Sequence, residues 1–141
     1  MQIVKRVEDH SELEAAYSIR FKVFVEEQKV PAEIELDEYD EAAVHLLALE
    51  DGKAVGCGRL VFFEGYAKIG RVAVLKEKRR RGFAKMICEE LINIAREKGV
   101  KKIILHSQCS AQGLYLGLGF VPEGEVFDDA GIDHICMARV L

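Results

Sequence analysis

Arg79-Arg80-Arg81-Gly82-Phe83-Ala84 is the stretch of this chain best suited to holding a phosphate. Ile69-Gly70-Arg71-Val72-Ala73-Val74 precedes it with strand character, and Met86, Ile87, Leu91, Ile94 and Ala95 follow at helical spacing. A strand feeding a basic, glycine-containing loop and then a helix N-terminus makes an anion site. The first helical N–H groups have no partner within the helix, and the helix dipole favours negative charge there. Gly82 lets the backbone approach an anion closely, and the arginines add forked, charge-assisted contacts.

Other reactive side chains carry less pattern. Cys57, Cys88, Cys109 and Cys136 include no C-x-x-C pair, so neither a metal nor a dithiol motif is expected. Cys57, Cys88 and Cys136 sit in apolar stretches and read as reduced core residues, while Cys109 follows a strand end. Glu33, Glu35, Asp37, Glu38, Asp40 and Glu41 form an acidic block. It reads either as a solvated loop or as a surface that draws in a cation.

The elements that must position these residues are legible in the patterning. Strands are expected over 3–7, 44–50, 54–63, 66–74 and 101–107, with two more near 125–128 and 134–140. Asp51-Gly52 and Glu64-Gly65 read as hairpin turns. Ser11-x-x-Glu14 reads as a capping box opening a helix that stops before Pro31. A long helix is expected over 83–98 with Gly99 at its C-terminus, and a short one over 110–118 closed by Gly119. Strand, helix and strand around 71–105 imply one parallel pair beside antiparallel hairpins. The fold class is therefore α/β (α+β), a mixed central sheet with helices packed on it.

A single domain over residues 1–141 is expected, since 50% hydrophobic residues suffice for a real core. No apolar run reaches membrane-helix length, and the N-terminus lacks a secretory core, so a cytoplasmic location is expected. A net charge of −4 argues against nucleic-acid binding, despite the basic block of Lys76, Lys78, Arg79, Arg80, Arg81 and Lys85.

Two motifs together carry a family resemblance. Arg79-x-x-Gly82-x-Ala84 resembles the acyl-CoA loop of GNAT-superfamily N-acyltransferases, written Q/R-x-x-G-x-G/A. Ala111-Gln112-Gly113-Leu114-Tyr115-Leu116-Gly117-Leu118-Gly119-Phe120, one strand later, resembles that family's A-x-x-x-Y-x-x-x-G-F segment. Residues 23–31 and 131–137 look like the small bacterial ElaA-type members. The resemblance implies about seven strands with a V-shaped splay between the fourth and fifth. It implies acetyl-CoA as donor, with pantetheine beside Val72, Ala73 and Val74 and the pyrophosphate on Arg79, Arg80, Arg81, Gly82, Phe83, Ala84 and Lys85. Gln108, ending the fifth strand, faces the same cleft as a donor to pantetheine, to acceptor or to the splayed backbone.

The implied reaction is acetyl transfer to a primary amine, with Tyr115 as general acid. The base is open. Many members carry an acid or histidine on the strand before the loop, where this chain has Lys68 and Arg71. Asp37, His45 and His134 are the candidates carried forward, with Glu35, Asp40 and His106 behind them. Arg20 and Glu27 are expected to pair structurally. An acyl-CoA-binding sensor without catalysis is the alternative reading, and a homodimer is left open.

Overall fold

Residues 1–141 are described by a computed structural model in which one seven-stranded sheet carries different helices on its two faces. The strands are β1 (Gln2–Arg6), β2 (Val44–Glu50), β3 (Lys53–Phe63), β4 (Tyr66–Val74), β5 (Lys102–Gln108), β6 (Val121–Asp129) and β7 (Ile132–Val140). Their order is β1-β2-β3-β4-β5-β7-β6, and only β4 and β5 are parallel. Asp51 (φ 49°) and Gly52 (φ 83°) supply the two left-handed residues that a tight β2–β3 hairpin requires.

The helices are α1 (His10–Arg20), α2 (Ala32–Glu35), α3 (Phe83–Glu97) and α4 (Gln112–Gly117). On one face α3 buries Ile87, Leu91 and Ala95 against Leu46, Leu60, Ile69, Ile103 and Met137. On the other, α1 sets Ala16 and Ile19 against Leu47, Cys57 and Ala73. The α1 cap differs from the sequence expectation. Asp9, not Ser11, is the last extended residue (φ −142°, ψ 172°) and accepts from the Glu12 N–H at 2.8 Å. Glu12 reaches back to the Glu8 N–H at 2.9 Å, so the box is Asp9-x-x-Glu12.

Beyond Arg20 the helix widens into π geometry over Phe21–Glu27, ending with the Gln28 N–H on the Val23 carbonyl at 3.1 Å. Such widened turns recur at functional sites. β6 is longer than its sequence suggests. Gly124 (φ 80°) sits in a bulge where pairing passes from Glu123↔Cys136 to Phe127↔His134, which breaks the period-two signal.

The sheet splits where the family resemblance implied. β4 and β5 pair only through Ala67↔Ile103, Lys68↔Ile104 and Ile69↔Leu105. Past that point the two strands diverge as a V. β4 also bulges against β3, its register passing from Arg59↔Gly70 to Cys57↔Ala73. Arg71 and Val72 therefore face Gly58 alone, and Arg71 takes φ 50°, costly for a residue with a Cβ. Its guanidinium donates to the Glu35 carbonyl from Nε at 3.1 Å and from Nη2 at 3.0 Å, which holds the bulge open toward α2.

Candidate active site

The loop between β4 and α3 is built to expose its amides. Arg80 (φ 64°) and Gly82 (φ 87°) are both left-handed, and Gly82 is the N-cap residue of α3. The first helical bond is Met86 N–H to the Gly82 carbonyl at 3.0 Å, and the N–H groups of residues 80–85 have no protein acceptor. A Cβ built on Gly82 would meet nothing within 4 Å, so the space in front of these amides is open.

Its side chains divide into two sets. Arg79 is committed within the protein. Its Nε donates to the Val74 carbonyl at 2.9 Å, and both terminal nitrogens fork onto Glu27 at 2.7 Å. That pairing replaces the expected one between Glu27 and Arg20. Lys78 and Arg81 lean on Glu50 at 2.6 and 3.3 Å. Lys76, Arg80 and Lys85 make no ion pair.

A cavity of about 210 Å³ occupies the V, and Tyr115, Val72, Gln108 and His134 line it. Tyr115 stands on α4 edge-on to Phe120, ring centroids 6.1 Å apart. Burial, with the Cys88 thiol nearby, pushes its phenol pKa well up, so Oη keeps its proton across the working range. Gln108 donates from Nε2 to Gln28 Oε1 at 2.8 Å, tying the end of β5 to the end of the widened helix.

The histidines fall into different places. His134 Nδ1 lies 2.7 Å from the Ile132 carbonyl. A carbonyl only accepts, so Nδ1 carries the proton and the neutral ring keeps its lone pair on Nε2. His106 also lines the cavity, and burial followed by the neighbouring Lys68 lowers its pKa. Phe127 packs against both rings, stacked on His134 and edge-on to His106. His45 lies outside the cavity, buried, with Nε2–H on the Asp40 carbonyl at 2.8 Å.

The acidic block divides: Glu33, Glu38 and Glu41 are exposed, while Glu35, Asp37 and Asp40 are ion-paired within the protein. Arg20, 1% exposed, bonds Glu35 from Nε at 2.7 Å and Asp40 from both terminal nitrogens at 2.7 and 3.0 Å. Arg59 forks onto Asp37 at 2.7 and 2.8 Å and shares Asp40 at 2.8 Å. Arg71 adds Asp37 at 3.2 Å. Burial raises the pKa of Asp40, but the bonds from Arg20 outweigh it and hold the carboxyl well below the usual range. For Asp37 the Arg59 fork likewise outweighs burial. Asp37 lies outside the cavity, its oxygens committed to these guanidinia.

Both depressed pKa values act in one direction on stability. Their contribution is complete above the unfolded aspartate value near 3.9 and is lost as pH falls through the lower folded values. The urea midpoint should therefore hold level down to about pH 4.5 and drop steeply below about pH 4. Asp40→Asn should show a shallower drop. Equal slopes would remove Asp40 from the acid response.

Phe24, Arg59, Ser107 and Asp129, which sequence reasoning passed over, complete the cavity wall together with Lys68 and Arg71. The available signal was register. Arg59 pairs Gly70, Val61 pairs Lys68, Lys68 pairs Ile104, and His106 pairs Cys136 two residues from His134. Paired residues share a face, so Arg59, Lys68, His106 and His134 share the face that α1 leaves uncovered. Two of the cysteines are sealed in the core. Cys57 and Cys88 are buried, with thiols pushed up to about 12. Cys136 is only half-buried, unlike its core expectation, because it lies on the cavity face of β7.

Comparison with known proteins converges on one family. A family model described as Acetyltransferase (GNAT) family matches residues 12–120. The chain is 36% identical to the uncharacterized N-acetyltransferase YjcF of Bacillus subtilis, over 93% of this chain and 94% of that one. An acyl-CoA N-acyltransferase structure from Pseudomonas aeruginosa is 31% identical with TM-score 0.86, covering 99% and 98% of the two chains. ElaA of Escherichia coli is 26% identical with TM-score 0.88, covering 99% of each.

Proposed function

The chain belongs to the GNAT family of acetyltransferases, and on that footing we propose that it transfers an acetyl group from acetyl-CoA to a primary amine, Tyr115 acting as general acid and His134 as proton acceptor. The observation that carries this reading is the run of unpartnered amides at 80–85, at the end of the strand that also lines the Tyr115 cavity. Those amides would hold the pyrophosphate, and Lys76, Arg80 and Lys85 are free to meet the remaining phosphate. The unpaired backbone edges of β4 and β5 suit the amides of pantetheine.

When bound, acetyl-CoA supplies a thioester carbonyl and a thiolate leaving group. Tyr115 holds a proton at Oη that its burial keeps in place, and it delivers that proton to the departing sulfur. His134 accepts the acceptor amine's proton at Nε2, the nitrogen left free by the bond from Nδ1 to Ile132. His45 lacks access to the cavity, and Asp37 is held as an ion-paired carboxylate.

Tyr115→Phe should lower kcat by roughly 100-fold or more while acetyl-CoA affinity stays within about twofold. His134→Gln should also lower kcat/KM, and its deficit should shrink as rising pH deprotonates the amine. Steady-state CoA release and calorimetry of acetyl-CoA read the two effects separately. Unchanged kcat in Tyr115→Phe would exclude the phenol as the essential acid.

A further inference from the structure

We infer that the closed base of the cavity binds the carboxylate of a small acceptor bearing both an amine and a carboxylate, with Lys68 as its ion-pair partner and Arg71 beside it. This deepens the acetyl-transfer reading and rests on it.

Lys68 stands at the foot of the V, where β4 still pairs with β5 through Lys68↔Ile104. It lines the cavity and is half-buried, yet it takes part in none of the protein's hydrogen bonds or ion pairs. The carboxylates that border this end are already committed. Glu35 and Asp40 belong to Arg20, and Asp37 and Asp40 belong to Arg59.

Donors are in surplus at the same place. Arg59 Nε is buried with no acceptor, in a side chain only 8% exposed. Arg71 reaches protein acceptors with Nε and Nη2 and leaves Nη1 over. Burial first, then the charges of Arg59 and Arg71, lower the pKa of Lys68, which marks the local field as positive. An ammonium acceptor without a carboxylate would meet this field as repulsion. A carboxylate would satisfy Lys68 and the spare Arg71 nitrogen together. The one uncommitted acid of the cavity, Asp129, is exposed and makes no ion pair with Lys68; its charge opposes those of Arg59 and Arg71 there but ranks below both.

The test uses the CoA-loaded protein and needs no turnover. Calorimetry compares glycine, 4-aminobutyrate and L-lysine, each with its own carboxamide. At least one carboxylate should bind about tenfold or more tightly than its amide. Lys68→Met or Lys68→Gln should erase that preference, and Lys68→Arg should keep most of it. Equal binding of acid and amide, no binding by any of them, or a preference that survives loss of the Lys68 charge would overturn the inference. Acetyl transfer to the same compounds is followed in parallel. Transfer to the amides or to a lysine-containing peptide in preference to the free carboxylates overturns the carboxylate site and leaves acyl transfer standing. A preserved carboxylate preference without transfer to any amine does the reverse.

Discussion

Replacing Arg20 with leucine should destabilise the protein by roughly 3–5 kcal/mol, the range expected when one partner of a buried ion network is removed. The guanidinium is almost wholly buried and spends Nε, Nη1 and Nη2 on Glu35 and Asp40. Its loss would leave those two buried carboxylates short of their main counter-charge, although Arg71 and Arg59 still approach them. For a chain of this size the melting temperature should fall by roughly 10 °C or more. Adding Glu35→Gln and Asp40→Asn should return part of the loss, since the stranded charges go with them. A loss below about 1 kcal/mol, the size of an exposed pair, would mean that water reaches the network. The same change should raise KM for the acceptor, because Arg20 holds α2 where its carbonyls meet Arg71.

Gly82→Val should weaken acetyl-CoA binding by roughly 100-fold. A φ of 87° costs a residue with a Cβ about 1–2 kcal/mol, and β-branching leaves less room to relax. The protein itself does not resist the added atom, because nothing lies within 4 Å of it. The affinity loss therefore comes from the space that a phosphate would need and from amides turned out of line. Two or more charge-assisted bonds lost at once account for the magnitude. Gly82→Ala should fall between valine and wild type. Calorimetric affinity equal to wild type in the valine variant would remove the loop from the donor site.

The parts of this architecture that local rules govern were readable from the chain. Asp51-Gly52, Gly99 and Gly119 all adopt the left-handed conformations their positions suggested. β2, β4 and the long helix α3 lie within a residue or so of their expected ends. The splay between β4 and β5 followed from the resemblance rather than from periodicity. What stayed hidden depends on contacts distant in sequence. The ion pairs within the acidic block went unread because Arg20, Arg59 and Arg71 are 15 to 37 residues from the carboxylates and carbonyls they meet. Arg79 looked free for phosphate because Glu27 lies 52 residues away. Lys68 was noted only as standing where other members carry a base, and register then placed it in the cavity with His106 and His134. Electrostatic partners across a fold leave no local trace, whereas turns and caps do.

The β4 bulge works as a change of reading frame within one strand. Below it, even-numbered Lys68 and Gly70 belong to the cavity face, while odd-numbered Ala67 and Ile69 enter the α3 core. Above it, odd-numbered Ala73 turns to α1 while Val72 and Val74 join the α3 side. One strand thereby gives the foot of the cavity its charged side chains and, past the bulge, sets a small alanine beneath α1, without crossing sheets. Deleting one of Arg71 and Val72 would keep both flanking registers and leave Ala73 opposite Cys57. Straightening the strand with every residue kept would instead hold one parity throughout, turn Ala73 away from α1 and set Val72 and Val74 on that side, so the two ends of the V would lose their separate linings together.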